Sequence, residues 1–453
     1  MRFRARNMAA LLLASLLPGA VIDARQGADP DLRDLHRHLR DYEIIRMDPE
    51  RAEEDVRLRG RLSLALRDWT LDMVLEPIDL RAPGYVAEET GDAGPARIPE
   101  RPVASTYKGI LVGMKDSQVR FTFDGSRIEG LVLTPADWFY VEPLRNFVRS
   151  AVLSDLIVYR RSAIREETFG MCGTTLAHRI GQAPERLQLR AMAAEAGVRV
   201  AQIATEADYE YVTALGGSTA ANNEILQILN QISGIYETEL GISFQVVYQH
   251  AWATTGDPYS ATSAGSILNE FTSYWVNHPP GVGYDLAHMW TGKDMDGSTV
   301  GIAWLGVVCN APRNSYGVSQ RLTSIPAKYI VTAHEIGHNF GASHPDQANP
   351  PQTTCANTIM NSSIGTGISF CEFSRDEIGE HVSAYSSCLA AGSMPCDVNS
   401  DGLRNIADVQ ALVNVILGTA SPSGACDINH DGRVDVLDLQ ALCNVILGLC
   451  GCP

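Results

Sequence analysis

The chain has no cysteine before Cys172, no excess of basic residues, and no apolar run long enough to cross a bilayer. The first absence rules out a disulfide framework for the whole N-terminal third. The second is quantitative: 36 Lys and Arg stand against 53 Asp and Glu, a formal charge of −17. That balance excludes the electrostatic footprint of a nucleic-acid binder or of a protein held on anionic lipid. The third leaves no candidate transmembrane helix, which needs about 20 consecutive apolar residues.

What is present at the N-terminus reads as an export signal over residues 1–24. Arg2, Arg4 and Arg6 supply a basic start, Met8 to Leu17 an apolar core, and Pro18-Gly19-Ala20 a breaker with small residues, with cleavage expected between Ala20 and Ala24. A secreted, extracellular protein without a membrane span is the expectation. The cysteines agree with an oxidising compartment. After Cys172 come Cys309, Cys355, Cys371 and Cys388, and then Cys396, Cys426, Cys443, Cys450 and Cys452 crowd the C-terminal end. With 453 residues, this unevenness predicts separate modules.

The chemistry concentrates in His334-Glu335-Ile336-Gly337-His338-Asn339-Phe340-Gly341-Ala342-Ser343-His344. His334 and His338 are four apart, so on a helix both imidazoles leave the same face and can share a metal ion. Gly341 can take a left-handed conformation at no steric cost, ending the helix and bringing His344 round as a third ligand. Three neutral imidazoles leave the fourth tetrahedral position of Zn²⁺ open, the donor set of a catalytic site; structural zinc sites favour cysteine and are closed. Glu335 is placed to act as general base toward an attacking water.

From about Gln26 to Gln182 the chain alternates apolar and polar residues in short runs broken by Gly, Pro and Asp. Leu62 to Leu66, Gly109 to Gly113 and Val119 to Phe123 read as antiparallel strands of a β-rich segment. No catalytic constellation occurs in it. Cys172 near its end has three readings. It is a buried unpaired cysteine, a disulfide partner for one of the five C-terminal cysteines, or a thiolate that fills the open position on zinc and silences the enzyme.

Farther on, Val200 to Ala204 reads as a strand ended by Asp208. Asn222 to Leu240 reads as a long helix, with Ile225, Leu226, Ile228, Leu229, Ile232, Ile235 and Tyr236 at helical spacing, and Ile242 to Tyr248 as a second strand. Together they open an α/β domain. His288 and His381 lie off the metal motif and read as structural.

The H-E-x-x-H-x-x-G-x-x-H pattern with Met360 downstream resembles the metzincin metalloproteases, in which Met360 corresponds to the methionine turn below the zinc. Tyr107-Lys108-Gly109, Ser117 to Arg120, Glu142-Pro143-Leu144 and Met171-Cys172-Gly173 are similar to the propeptide and cysteine switch of the adamalysin (reprolysin, ADAM-type) branch. Phe169-Gly170 stands where that branch has Pro-Lys. The resemblance implies a zymogen with a propeptide over 25–190, Arg190 as a candidate cleavage point, and a metzincin catalytic domain over 198–389. That domain would have a mixed twisted sheet, a zinc helix and an edge strand that binds extended peptides. It also implies disulfides Cys309–Cys388 and Cys355–Cys371. One departure stands out: the family places Asp directly after the third histidine, whereas here Pro345 intervenes before Asp346.

After a linker at 390–395 the chain repeats itself within 396–453. Asp397, Asn399, Asp401 and Asp408, then Asp427, Asn429, Asp431 and Asp438, recur at the oxygen-ligand positions of a calcium loop, with Gly402 and Gly432 at the sharp turn. Leu403 and Arg433 would add backbone carbonyls, and Asn405 and Asp435 would act through water. Asp at position 12 and the duplicated Ile-Leu-Gly helix ends resemble type I dockerins. The resemblance implies a small all-α, EF-hand-like module that binds Ca²⁺ and docks on a cohesin-like or cell-surface partner. Ile406-Ala407 and Val436-Leu437 occupy the positions where dockerins often carry Ser or Thr.

The whole reads as a secreted multidomain zinc endopeptidase made as a zymogen, with Zn²⁺ and Ca²⁺ as cofactors and a protein or peptide as substrate. The alternative is a catalytically silent metzincin-like binding protein carried by the dockerin. The intact His334, Glu335, His338 and His344 favour the enzyme.

Overall fold

The computed structural model describes residues 35–99, 105–125, 127–165, 168–180, 198–323, 325–391, 396–399, 406–421, 426–429 and 433–446. The export signal, Arg190, Asp401, Leu403, Asn405, Asp431, Cys450 and Cys452 lie outside these residues.

The N-terminal region is β-rich. In chain order it contains β1 (Glu43–Arg46), α1 (Pro49–Arg59), β2 (Arg61–Ala65), β3 (Thr70–Pro77), β4 (Arg81–Gly91) and β5 (Gly94–Arg97). These are followed by β6 (Thr106–Leu111), β7 (Met114–Phe123), β8 (Ile128–Leu133), β9 (Trp138–Pro143), β10 (Asp155–Arg160) and β11 (Gly170–Cys172). Helix α1 has local causes: Asp48 accepts from the Arg51 amide at 2.9 Å, Pro49 opens it, and Gly60 closes it at φ 62°. Eight strands form one sheet in the order β1-β10-β9-β8-β7-β6-β3-β2, with every neighbouring pair antiparallel.

The remaining three strands go elsewhere. The central region runs β12 (Arg199–Ala207), α2 (Tyr209–Leu215), α3 (Ser218–Leu240), β13 (Ile242–Trp252), α4 (Ala264–Asn277) and β14 (Leu286–Thr291). It continues through β15 (Thr299–Ala303), β16 (Tyr316–Gln320), α5 (Ile325–Asn339), β17 (Ser363–Ile364), α6 (Glu372–Tyr385) and β18 (Ala390–Ala391). Its mixed sheet has the order β17-β11-β15-β16-β14-β12-β13-β4-β5, with β18 paired to β12. Strand β4 adds parallel to β13, and β11 lies between β15 and β17. The N-terminal stretch, read from its alternation as antiparallel strands, therefore also contributes three strands to the neighbouring mixed sheet.

Helix α3 explains how the two sheets share an interface. Its apolar side, including Ile225, Ile228, Leu229, Ile232 and Tyr236, packs into the main core. Its other side is polar and still buried, against β7 and β8. The Asn230 amide donates to the Phe121 carbonyl at 3.0 Å and that of Gln231 to the Arg120 carbonyl at 3.3 Å, while the Arg120 guanidinium meets Glu237 at 2.5 Å. This is why residues 119–123 are buried on both faces although their sequence alternates. The alternation marks two buried surfaces, one apolar and one hydrogen-bonded.

Deeper in the same interface lie four charges. Lys328 of α5 contacts Glu129 of β8 at 2.8 Å and Glu224 of α3 at 3.6 Å, and Arg127 contacts Glu224 at 2.7 Å. Charges taken from water need all their partners. The C-terminal region contains α7 (Ile406–Ile416) and α8 (Val436–Ile446), packed through Leu412, Leu442 and Val445 with Val398 and Ile428. No strand occurs among its described residues.

Lys328→Met removes the cation that Glu129 and Glu224 share, leaving Arg127 on Glu224 and the neutral donors Gln227 and Tyr329 on Glu129. It is expected to lower unfolding stability in urea by about 3–5 kcal/mol. A loss no larger than the ~1 kcal/mol of an exposed ion pair would contradict the buried network.

Candidate metal centre

Helix α5 carries His334, Glu335 and His338 into the core, where they are 0–1% exposed. The chain leaves the helix through Gly341 at φ 97°, where the Gly341 amide donates to the His338 carbonyl at 2.9 Å and that of Ala342 to Gly337 at 3.0 Å. A side chain would be strained at that φ, and the turn it permits delivers His344 to the helical pair.

The three Nε2 atoms form a triangle with edges of 2.9, 3.1 and 3.2 Å. Each ring's outer nitrogen has its own acceptor. Nδ1 of His334 faces the Ile359 carbonyl at 2.6 Å, that of His338 the Ala342 carbonyl at 2.6 Å, and that of His344 the Gln347 side-chain oxygen at 3.2 Å. Carbonyl partners fix the proton on Nδ1, so all three Nε2 lone pairs point at one another. Three converging lone pairs repel unless a cation sits among them. The triangle's edges come close to the roughly 3.3 Å spanned by tetrahedral ligands 2.0–2.1 Å from zinc. The donor set therefore fits zinc.

Burial sets the charge states. It pushes His334 down to about 3, with repulsion from His344 adding to the effect, and holds His338 and His344 below their ordinary value, so the rings are neutral. Burial pushes the Glu335 carboxyl up to about 8, opposed by hydrogen bonds from Cys172 and Thr174. Gly301 makes room for this carboxyl: a Cβ there would lie 2.4 Å from Oε1 of Glu335.

Cys172 completes the group; its Sγ and the three imidazoles offer ligand atoms within 4.8 Å of one another. The sulfur is 3.4 Å from Nε2 of His338 and 3.6 Å from a Glu335 oxygen. Burial and the Glu335 charge raise the thiol well above its usual value, a penalty on the thiolate that a central cation would reverse. Strand β11 holds it there. The amides of Met171, Cys172 and Gly173 donate to Ser298, Ser362 and Gly301 at 2.7, 2.9 and 2.8 Å. Two residues on, Thr174 is 2% exposed; its hydroxyl accepts from the Ala303 amide at 2.9 Å, donates to the Ala303 carbonyl at 3.1 Å and lies 3.5 Å from Glu335.

Met360 is fully buried beneath the helix, its sulfur 2.6 Å from where a Cβ on Gly337 would stand. Because Ile359 receives His334, the turn at Met360 is tied directly to the metal group. Disulfides join Cys309 to Cys388 and Cys355 to Cys371. His288 and His381 lie apart: His288 bonds Ser319 at 2.8 Å, His381 the Val308 carbonyl at 2.9 Å, and burial pushes them to about 3 and about 4.

In the C-terminal repeat, Asp397, Asp408 and Asp438 are 0–2% exposed. Asp438 accepts from the Ile428, Asn429 and Asp435 amides at 2.8, 3.1 and 2.8 Å, and Asp408 from the Asn399 amide at 3.2 Å. Each carboxylate folds the chain around its own loop. The sequence reading missed Thr174, Gln347 and the two bonds of Asp346 to Ser362, whose amide and hydroxyl it accepts at 2.9 and 2.5 Å. None follows a spacing rule.

Residues 198–374 match the family described as Metallo-peptidase family M12 (Reprolysin_5), and residues 395–447 match the Dockerin type I domain. Similar curated proteins include the zinc metalloproteinase-disintegrin-like brevilysins H2a and H2b of Gloydius brevicauda, each 29% identical over 209 residues. The match covers 45% of this chain and 49% of each relative, so the chain spans about half the length of the curated relatives it matches. Among the described residues, no helix is long and apolar enough to cross a membrane.

Zinc titrated into metal-free chain is expected to bind at this group. His338→Ala should weaken it by more than the roughly 10–100-fold that losing an outer-shell partner costs; unchanged affinity in a chelator competition would place the metal elsewhere.

Proposed function

For a chain carrying a Metallo-peptidase family M12 domain at 198–374 and a dockerin type I domain at 395–447, we propose a secreted zinc endopeptidase kept latent by its own N-terminal segment. The observation that carries this reading is a buried carboxyl, Glu335, beside three imidazoles whose lone pairs converge. His334, His338 and His344 would hold the zinc. Bound there, zinc supplies Lewis acidity toward the scissile carbonyl and lowers the pKa of water to about 7.

Glu335 does the proton work. Beside a bound cation its carboxyl would be held ionised, and the carboxylate would take a proton from the attacking water and hand it to the leaving nitrogen. The burial of helix α5 fixes that carboxyl beside the imidazoles. Strand β15 supplies the substrate contact: Gly301 O and Ala303 N and O are the main-chain groups that an extended peptide would pair with.

In the uncut chain those groups are taken. Gly173 holds Gly301 O, the Thr174 hydroxyl holds both main-chain groups of Ala303, and the Cys172 sulfur stands beside the imidazoles and Glu335. Latency thus has two arms, a thiol at the metal and a hydroxyl on the substrate strand. Cleavage within 181–197, with Arg190 as a candidate point, would start release. The dockerin domain would tether the enzyme extracellularly to a cohesin-like or cell-surface partner. Its calcium ligands would be Asp397, Asn399, Asp401 and Asp408, then Asp427, Asn429, Asp431 and Asp438.

The test is cleavage of a diverse peptide mixture by processed protein with zinc and calcium. Glu335→Ala should lower the rate by about 10²–10⁴-fold, the contribution of a general base. Equal cleavage by both proteins, or none by wild type with zinc bound, would sink the reading. Cys172→Ala should make the uncut chain active. Thr174→Val, which removes only the hydroxyl, should raise uncut-chain activity by a smaller factor; latency equal to wild type would remove the second arm.

A further inference from the structure

A metal-binding imidazole works only if its outer nitrogen is held, because that bond fixes the tautomer and the ring plane. Two of the three rings here are held by main-chain carbonyls, Ile359 and Ala342, which no side-chain substitution removes. His344 differs. It lies beyond the helix and after the turn at Gly341, and its Nδ1 meets a side chain, Gln347, at 3.2 Å.

We propose that Gln347 is a positioning residue of the metal centre, holding His344 with Nε2 bare and aimed at the other two imidazoles. The proposal rests on the zinc reading above. Gln347 reaches back because residues Pro345–Gln347 form a 3-10 turn directly after His344. Pro345 pre-sets the first φ of that turn. The Gln347 amide donates to the His344 carbonyl at 3.2 Å and the Gln352 amide to the Pro345 carbonyl at 2.9 Å, closing the loop on both sides.

The same turn grips a second element. Asp346 accepts from the Ser362 amide and hydroxyl, and Ser362 lies two residues beyond Met360. The carboxylate thus ties the turn to the strand beside the cleft while the neighbouring amide ties it to the third ligand. The extra Pro345 makes both possible: it moves Asp346 one residue from His344 and curls the chain so that Gln347 faces the ring. Without the Gln347 oxygen, the His344 imidazole can rotate or shift its proton to Nε2, which would present N–H to the metal.

The test measures zinc affinity of the full-length chain by chelator competition, so it does not depend on turnover. Gln347→Ala is expected to weaken zinc by about 10–100-fold, the usual cost of losing an outer-shell partner. Gln347→Glu, which keeps an acceptor oxygen, should return to within a few-fold of wild type or bind more tightly. Gln352→Ala, in the same loop with its side chain on the Pro350 carbonyl, should match wild type. Wild-type affinity in Gln347→Ala would overturn the proposal, and so would a Gln347→Glu variant as weak as Gln347→Ala. No zinc binding by wild type would instead sink the metal centre, and this role with it.

Discussion

Three imidazole lone pairs converging within 3.2 Å of one another are the constraint on which the rest of the structure depends. Neutral nitrogens do not crowd in this way without a cation, so the fold must spend packing and hydrogen bonds to assemble them. The i, i+4 spacing on α5 places two rings, the left-handed Gly341 places the third, and Ile359, Ala342 and Gln347 fix the tautomers. Met360 and Ser362, just after Ile359, extend the same support: one fills the floor of the helix and the other is gripped by Asp346. Ligands, floor and cleft wall form one connected unit.

The N-terminal region is built into that unit. Strand β11 is completed on both sides by strands of the central sheet, and β4 extends the opposite edge along β13. Between the sheets, α3 turns an apolar face to one and a hydrogen-bonding face to the other. A polar interface of this kind lets the central domain meet water if the segment departs, since the groups it exposes already prefer hydration. In the proposed zymogen, latency and release would be two uses of the same surface.

Much of this was legible in sequence because it is local. The strands at 199–207 and 242–252, the long helix between them and the metal helix followed from periodicity, capping and spacing, with errors of a few residues at the ends. The helix began at Ser218, earlier than its apolar pattern indicated, since its first turn buries Ser218 and Ala221 rather than large side chains. The duplicated acidic loops were readable for the same reason. What the sequence hid is non-local. Parallel addition of β4 to β13 joins residues far apart in the chain and leaves no local pattern. The burial of Arg120 and Thr122 depended on the polar face of α3. The burial of Lys328 between two carboxylates depends on Glu129 and Glu224, which lie 199 and 104 residues away in the chain. Thr174 acts through hydrogen bonds to Ala303, a partner that only the fold brings near, and Gln347 through a bond to His344 that follows no spacing rule.

The account stands or falls on what surrounds the metal in the uncut chain, and zinc K-edge X-ray absorption of full-length protein carrying one zinc ion reads that directly. The predicted shell holds three nitrogens at about 2.0–2.1 Å and one sulfur at about 2.3 Å, with the sulfur lost once the N-terminal segment is cut and removed. A shell of nitrogen and oxygen alone in the uncut chain would contradict the account, because Cys172 would then not reach the metal.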